Sequence, residues 1–173
     1  MIGTLTALVI ATTAGSAAST APVRSGWSWP LQPVPAVVHG FRAPPSPWSA
    51  GHRGVDLTAT VGQTVLAPTA GRVVFVGTVV DRGVLTLAHA DGLRTTYEPV
   101  DAVVPVGAVV AAGQPIAVLQ PGPGHCLPAS CLHWGARLGD RYVDPLRLVR
   151  PPEPPVLLPL RSPPSWHAWR APA

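Results

Sequence analysis

Short apolar runs separated by glycine and proline constrain the fold of this chain more than any other feature of its sequence. From Val55 onward, valine-rich runs alternate with turn residues, as in TVLAPTAG, RVVFVGTVV, GVLTLAHADG, LRTTYEPV and PIAVL. Short runs rich in β-branched residues are typical of strands, and the ADG sequence at 90–92 is a hairpin signal. No stretch predicts a helix. The sequence therefore predicts an all-β fold built from antiparallel strands.

Three segments follow one another along the 173 residues. Residues 1–21 are apolar at first and then rich in small residues, which is the pattern of a signal peptide, and the apolar run is too short to span a bilayer. Residues 26–149 form the predicted domain. Residues 150–173 hold too many prolines for a strand or helix, so we expect a disordered tail. We therefore expect a secreted protein associated with the cell wall, with no stable membrane span.

The basic residues narrow the range of partners. The net charge is +4, and all 12 basic residues are arginines because the chain has no lysine. The arginines are scattered and no aromatic platform accompanies them, which argues against nucleic acid and leaves an anionic wall polymer as a compatible partner.

The related segments VGQTVLAPTAG and VGAVVAAGQPIAV suggest a sheet built from two similar halves, as in lipoyl and biotinyl domains. Those domains carry their cofactor on a lysine, so the absence of lysine excludes that function.

Two histidines and an aspartate form a candidate zinc site. His52 and Asp56 lie four residues apart in GHRGVD, and His133 lies in the apolar run CLHWGARL. Strand alternation places Cys131 and His133 on one face, with the neighbouring apolar residues on the other. Imidazole nitrogen and carboxylate oxygen are good zinc ligands, and three protein ligands leave the fourth position open, as in catalytic zinc sites.

The chain's two cysteines, Cys126 and Cys131, leave two alternatives open. In an exported protein we expect them to form a disulfide that holds the intervening loop beside the metal. If they stay reduced, Cys131 could instead supply a fourth ligand and close a purely structural zinc site.

Several segments, in order, resemble the lysostaphin and LytM-type zinc endopeptidases: HGFRAPPSPWSAGHRGVDLTATVGQTVLAPTAGRVVFVG, LTLAHADGLRTTYEPV, VGAVVAAGQPIAVL and LHWGARLGDRYVDPL. The resemblance covers roughly residues 26–148. It implies an antiparallel β sandwich or barrel-like core of the duplicated hybrid motif type. It also implies one Zn²⁺ held by His52, Asp56 and His133, and cleavage of peptide stems or cross-bridges in bacterial peptidoglycan. We expect a monomer.

The chain departs from that family at two positions. Cys131 stands where the family usually has the first histidine of an H-x-H motif, and Pro99 stands where it has the histidine of Y-x-H, although Tyr97 is kept. In the family these histidines position the attacking water and stabilise the transition state. We place Tyr97 at the catalytic site and hypothesise that His125, next to Cys126, replaces a missing histidine.

Other residues near these motifs receive weaker roles. Glu98 is a second candidate to replace a missing histidine, but alternation predicts that it faces away from Tyr97. We expect His89 at the surface, at the end of a strand, and a structural role for His39.

Three functions are therefore open. The first is a secreted zinc endopeptidase acting on peptidoglycan. Its activity is in doubt because the two histidines that assist catalysis in the family, here called the helper histidines, are replaced by Pro99 and Cys131. The second is a catalytically degenerate module that binds the wall or regulates another hydrolase. The third is a structural zinc domain closed by Cys131.

Overall fold

Eleven short strands and one helical turn make up the part of the chain that the structure describes. The computed structural model describes residues 26–46, 48–122 and 126–149. Its elements are β1 Val37–His39, β2 Gly54–Thr58, β3 Thr64–Leu66, β4 Gly71–Val79, β5 Arg82–Ala88, β6 Leu93–Glu98, β7 Val100–Ala102, β8 Val109–Val110, β9 Pro115–Leu119, β10 Cys131–Leu138, β11 Arg141–Tyr142 and α1 Leu146–Val149. The predicted signal peptide and the predicted tail lie outside the described residues.

Two antiparallel sheets contain these strands. The large sheet has the order β1-β2-β10-β6-β5-β4-β8, with β11 also pairing with β10, and the small sheet has the order β3-β9-β7. β5 and β6 pair around the ADG sequence as the hairpin signal predicts. The all-β antiparallel prediction is confirmed, and the short helix α1 is the element that the sequence pattern missed.

The core lies between the two sheets. Trp134, Tyr97 and Leu132 of the large sheet are fully buried in one apolar cluster with residues of the small sheet such as Ile116 and Leu119. The inner face of β10 is therefore fixed by large apolar side chains, and its alternate residues must point to the outer face. This alternation places His133 on the outer side of the large sheet.

His89 is buried, which corrects the expectation that it lies at the surface. Its Nδ1 donates a hydrogen bond to the Ala70 carbonyl at 2.9 Å, and its Nε2 lies 2.8 Å from the Thr95 hydroxyl. The Thr95 hydroxyl is in turn 2.8 Å from the Tyr97 hydroxyl. The Trp27 ring covers His89 at a centroid distance of 4.5 Å. Burial lowers the pKa of His89, so this polar chain holds a neutral imidazole inside the core.

No helix among the described residues has the length and apolar character needed to cross a membrane.

Candidate metal centre

Three adjacent segments of the large sheet bring the predicted ligands together. Asp56 lies in the middle of β2, and His133 of β10 is its direct cross-strand partner. His52 precedes β2 and is held by an isolated antiparallel bridge to Arg42, with hydrogen bonds in both directions. Backbone pairing therefore fixes the starting positions of all three side chains.

The three ligand atoms lie at separations suited to one small cation. Asp56 Oδ1 is 2.8 Å from His133 Nδ1 and 3.1 Å from His52 Nε2, and the two imidazole nitrogens are 3.1 Å apart. Ligand atoms bound to one tetrahedral zinc ion are about 3.3 Å from one another. The residues present fit zinc in donor type, in number and in spacing.

Hydrogen bonds to the backbone orient His52 for this role. Its Nδ1 lies 2.7 Å from the carbonyl oxygen of Gly40, which only accepts hydrogen bonds, so Nδ1 carries the proton. In the neutral ring the other nitrogen, Nε2, then carries no hydrogen, and it faces Asp56 and His133. This arrangement, in which a carbonyl fixes the tautomer of a metal-binding histidine, is common around zinc.

His39 is a residue of this centre that the sequence interpretation missed. It lies on β1 directly opposite Asp56, and its Nδ1 is 3.0 Å from Asp56 Oδ2. Asp56 is 1% exposed and His39 is 55% exposed, so the carboxylate lies beneath an accessible imidazole. His39 and His133 therefore contact opposite oxygens of the same carboxylate. Only the pairing of β1 with β2, across a long loop, could have revealed this contact.

Because His39 orients Asp56, we expect His39→Ala to weaken zinc binding by about tenfold, the lower end of the effect of losing a partner that supports a metal ligand. His39→Gln keeps an N–H donor and should retain most of the affinity. Competition with a chromogenic chelator measures both variants. Equal zinc affinity in His39→Ala and the wild-type protein would show that the contact does not support the site.

Cys126 and Cys131 form a disulfide with a Cα–Cα distance of 6.0 Å. Cys126 Sγ lies 3.8 Å from His39 Nδ1, so the bridge packs beside the centre, as predicted. With both sulfurs in the bridge, Cys131 has no thiolate to offer as a ligand. The closed structural zinc site is therefore excluded in this oxidised form.

Tyr97 and Glu98 lie on opposite faces of β6. Tyr97 faces the core and Glu98 faces the outer surface, whereas a catalytic Tyr97 would have to face the outer surface. Tyr97 is fully buried and pairs with Trp134, so it cannot reach a substrate on the outer face; this corrects its predicted catalytic role. Glu98 is the cross-strand partner of His133 and forms a 2.8 Å ion pair with Arg82. Pro99 is buried after it. His125 lies outside the described residues, and its catalytic role stays a prediction.

Open depressions lie on both sides of the centre. One has a volume of about 570 Å³ and is lined by residues that include His39, His52 and Asp56. The other has a volume of about 600 Å³ and runs from His133 across the outer face of β6 and β10. An extended chain crossing the centre would therefore have space on either side.

Comparison with protein-family models identifies the family to which the chain is related. The model of peptidase family M23 matches residues 50–145, which include all three residues of the candidate centre. The chain belongs to peptidase family M23. Membership of a metallopeptidase family agrees with the donor set of His52, Asp56 and His133, and it confirms the resemblance to lysostaphin and LytM-type enzymes.

Two curated proteins are similar to this chain in sequence. A protein of Mycobacterium tuberculosis described as uncharacterized is 48% identical over 126 residues, which is 70% of this chain and 51% of the relative. The murein hydrolase activator NlpD of Salmonella dublin is 32% identical over 153 residues, which is 84% of this chain and 37% of the relative. The chain thus spans about half or less of the length of these relatives.

Solved structures of M23 peptidases share the fold. A zinc-containing peptidase from Vibrio cholerae is 25% identical with a TM-score of 0.57, over 68% of this chain and 38% of that one. The catalytic domain of lysostaphin from Staphylococcus simulans is 26% identical with a TM-score of 0.55, over 65% of this chain and 90% of that one. The predicted lysostaphin-like antiparallel fold is confirmed.

Proposed function

We propose that this protein is a secreted, zinc-dependent endopeptidase that hydrolyses peptide bonds in bacterial peptidoglycan. The observation that carries the proposal is the arrangement of His52 Nε2, Asp56 Oδ1 and His133 Nδ1 within 3.1 Å of one another. The open depressions on either side support an extended peptide as the substrate. Membership of family M23 and the similarity to lysostaphin agree with a peptidase of the cell wall.

The residues of the chain have distinct parts in this proposal. Zinc, when bound by His52, Asp56 and His133, would polarise the scissile carbonyl and lower the pKa of a water molecule. His39 holds the Asp56 carboxylate in position from the opposite side. The disulfide packs against His39 and holds the loop at the rim of the site.

The replacement of the two helper histidines should make the enzyme slow. The loss of a general acid or base typically lowers a rate by roughly 10²- to 10⁴-fold. Pro99 has no titratable side chain, and Cys131 is engaged in the disulfide. Assays therefore need long incubations, and His125 remains the predicted substitute.

A second candidate function is a module that binds the wall or regulates another hydrolase. The two replaced histidines favour it, as does the 32% identity to the murein hydrolase activator NlpD over 84% of this chain. In this case the fold and the metal would be kept while turnover is lost.

Digestion of purified peptidoglycan tests the two candidates against each other. The zinc-loaded protein and its His52→Ala variant are incubated with the polymer, and released fragments are identified by mass spectrometry. New peptide amino termini that depend on His52 support the endopeptidase and identify the cleaved bond. Intact polymer, despite zinc bound to a folded protein, would favour the regulatory module.

A further inference from the structure

The outer face of the large sheet continues from His133 to a pair of arginines. Along β6 and β10, Glu98 pairs with His133, Thr96 with Gly135, and Arg94 with Arg137. Because residues at every second position share a face, these side chains belong to the outer surface that carries the candidate metal centre. Arg94 and Arg137 lie at the end of this surface that is farther from His133.

This surface is the floor of the 600 Å³ groove. Phe75 of β4 and Tyr142 of β11 line its sides, and the Arg53 guanidinium lies 5.5 Å from the centre of the Tyr142 ring. His133 is also one of the residues that line the groove. A ligand bound in the groove would therefore lie beside the candidate metal centre.

Neither of the two opposed arginines has an acidic partner among the residues that the structure describes. Like charges directly opposite each other on neighbouring strands destabilise a sheet. Glu98, the acidic residue on the same floor, is already paired with Arg82 at 2.8 Å. Within residues 26–46, 48–122 and 126–149, neither Arg94 nor Arg137 forms an ion pair. An anionic ligand bound between the two arginines would offset their mutual repulsion.

We propose that Arg94 and Arg137 bind a carboxylate of an extended peptide that lies in this groove, an inference that rests on the proposed peptidase function. Arg137 lies four positions after His133, which corresponds to about 13 Å along a strand. The bound carboxylate therefore lies about four extended residues from the peptide bond at the metal centre. Guanidinium groups match the planar carboxylate with paired hydrogen bonds, so the arginines select acidic peptides over neutral ones.

Binding to two forms of one polymer tests the inference. Peptidoglycan is first stripped of phosphate-containing polymers, and half is then treated to convert its carboxylates to amides. Sedimentation measures the affinity of the zinc-loaded full chain for each form. The wild-type protein should bind the carboxylate form about fivefold more tightly, the upper end of the effect of one exposed ion pair.

Three variants assign that preference to the groove. Arg94→Gln and Arg137→Gln should each bind the two polymers nearly equally. Arg72→Gln is the matched control, because Arg72 is an exposed arginine of the same sheet face that donates to the Gly107 carbonyl and does not line the groove, and this variant should keep the preference. Thermal unfolding confirms that each variant is folded.

Several outcomes would overturn the inference. One is a preference for carboxylates that persists in both groove variants, and another is loss of binding when the phosphate polymers are removed. Cleavage by a protein that binds both polymers equally would also overturn it while leaving the endopeptidase proposal standing. Conversely, arginine-dependent binding without cleavage would support the groove and count against the endopeptidase.

Discussion

Asp56→Asn is expected to lower zinc affinity roughly 10²- to 10³-fold, which is one ligand's share of the about 10–16 kcal/mol that a four-ligand zinc site supplies. The Asp56 carboxylate is 1% exposed and contacts His39, His52 and His133. Asparagine has the same shape but no charge, so it places a neutral amide among three imidazoles. Peptidoglycan cleavage should fall to the level of the His52→Ala variant.

Two measurements separate loss of zinc from loss of structure. Chelator competition gives the zinc affinity, and the melting temperature of the metal-free protein reports the fold. Because the substitution removes a buried charge and changes little volume, we expect the metal-free variant to remain folded. An Asp56→Asn protein that binds zinc as tightly as the wild type would remove Asp56 from the ligand set.

Gly54→Ala is expected to damage both the fold and the centre, with a loss of about 1–3 kcal/mol in the free energy of unfolding. A Cβ at Gly54 would lie 2.7 Å from His133 Nε2 and would press against the carbonyl oxygen of Trp134. Because the Trp134 carbonyl is part of the β10 backbone, moving the His133 ring alone cannot relieve this crowding, so β2 and β10 have to separate and the ring shifts as well. We expect weaker zinc binding together with a lower melting temperature.

Gly135→Ala is the matched control, because Gly135 is the direct cross-strand partner of Gly54. A Cβ at Gly135 would meet its nearest atom, the Arg53 carbonyl oxygen, at 3.5 Å, an ordinary contact. Its unfolding free energy should stay within about 0.5 kcal/mol of the wild type. Equal losses in both variants would mean that glycine itself matters at these positions, and the crowding of His133 would not be the cause.

The sequence predicted the candidate centre well because its ligands follow local rules. His52 and Asp56 are close along the chain, and the apolar neighbours of His133 defined the inner face of its strand. The structure brings all three together, while metal binding by them stays a prediction. The disulfide was also foreseeable, since two cysteines lie five residues apart in a chain with a predicted signal peptide.

The sequence failed where a position depends on distant partners. His39 reaches Asp56 only because β1 pairs with β2 across a long loop, and no local pattern reports that pairing. His89 is buried because Trp27, 62 positions earlier, covers its ring. Tyr97 matches a family motif, but the match does not predict which face of β6 the side chain occupies. Packing against Trp134 decides that face.

Because His133 lies late in the sequence, it is the last of the three candidate ligands to be synthesised. Asp56 lies only 17 residues after His39, whereas His133 lies 77 residues after Asp56. An emerging chain can therefore assemble His39, His52 and Asp56 while its last ligand has not yet been made. The zinc site on which the proposed peptidase activity depends is complete only when β10 inserts between β2 and β6, so on that proposal an unfinished chain has no activity.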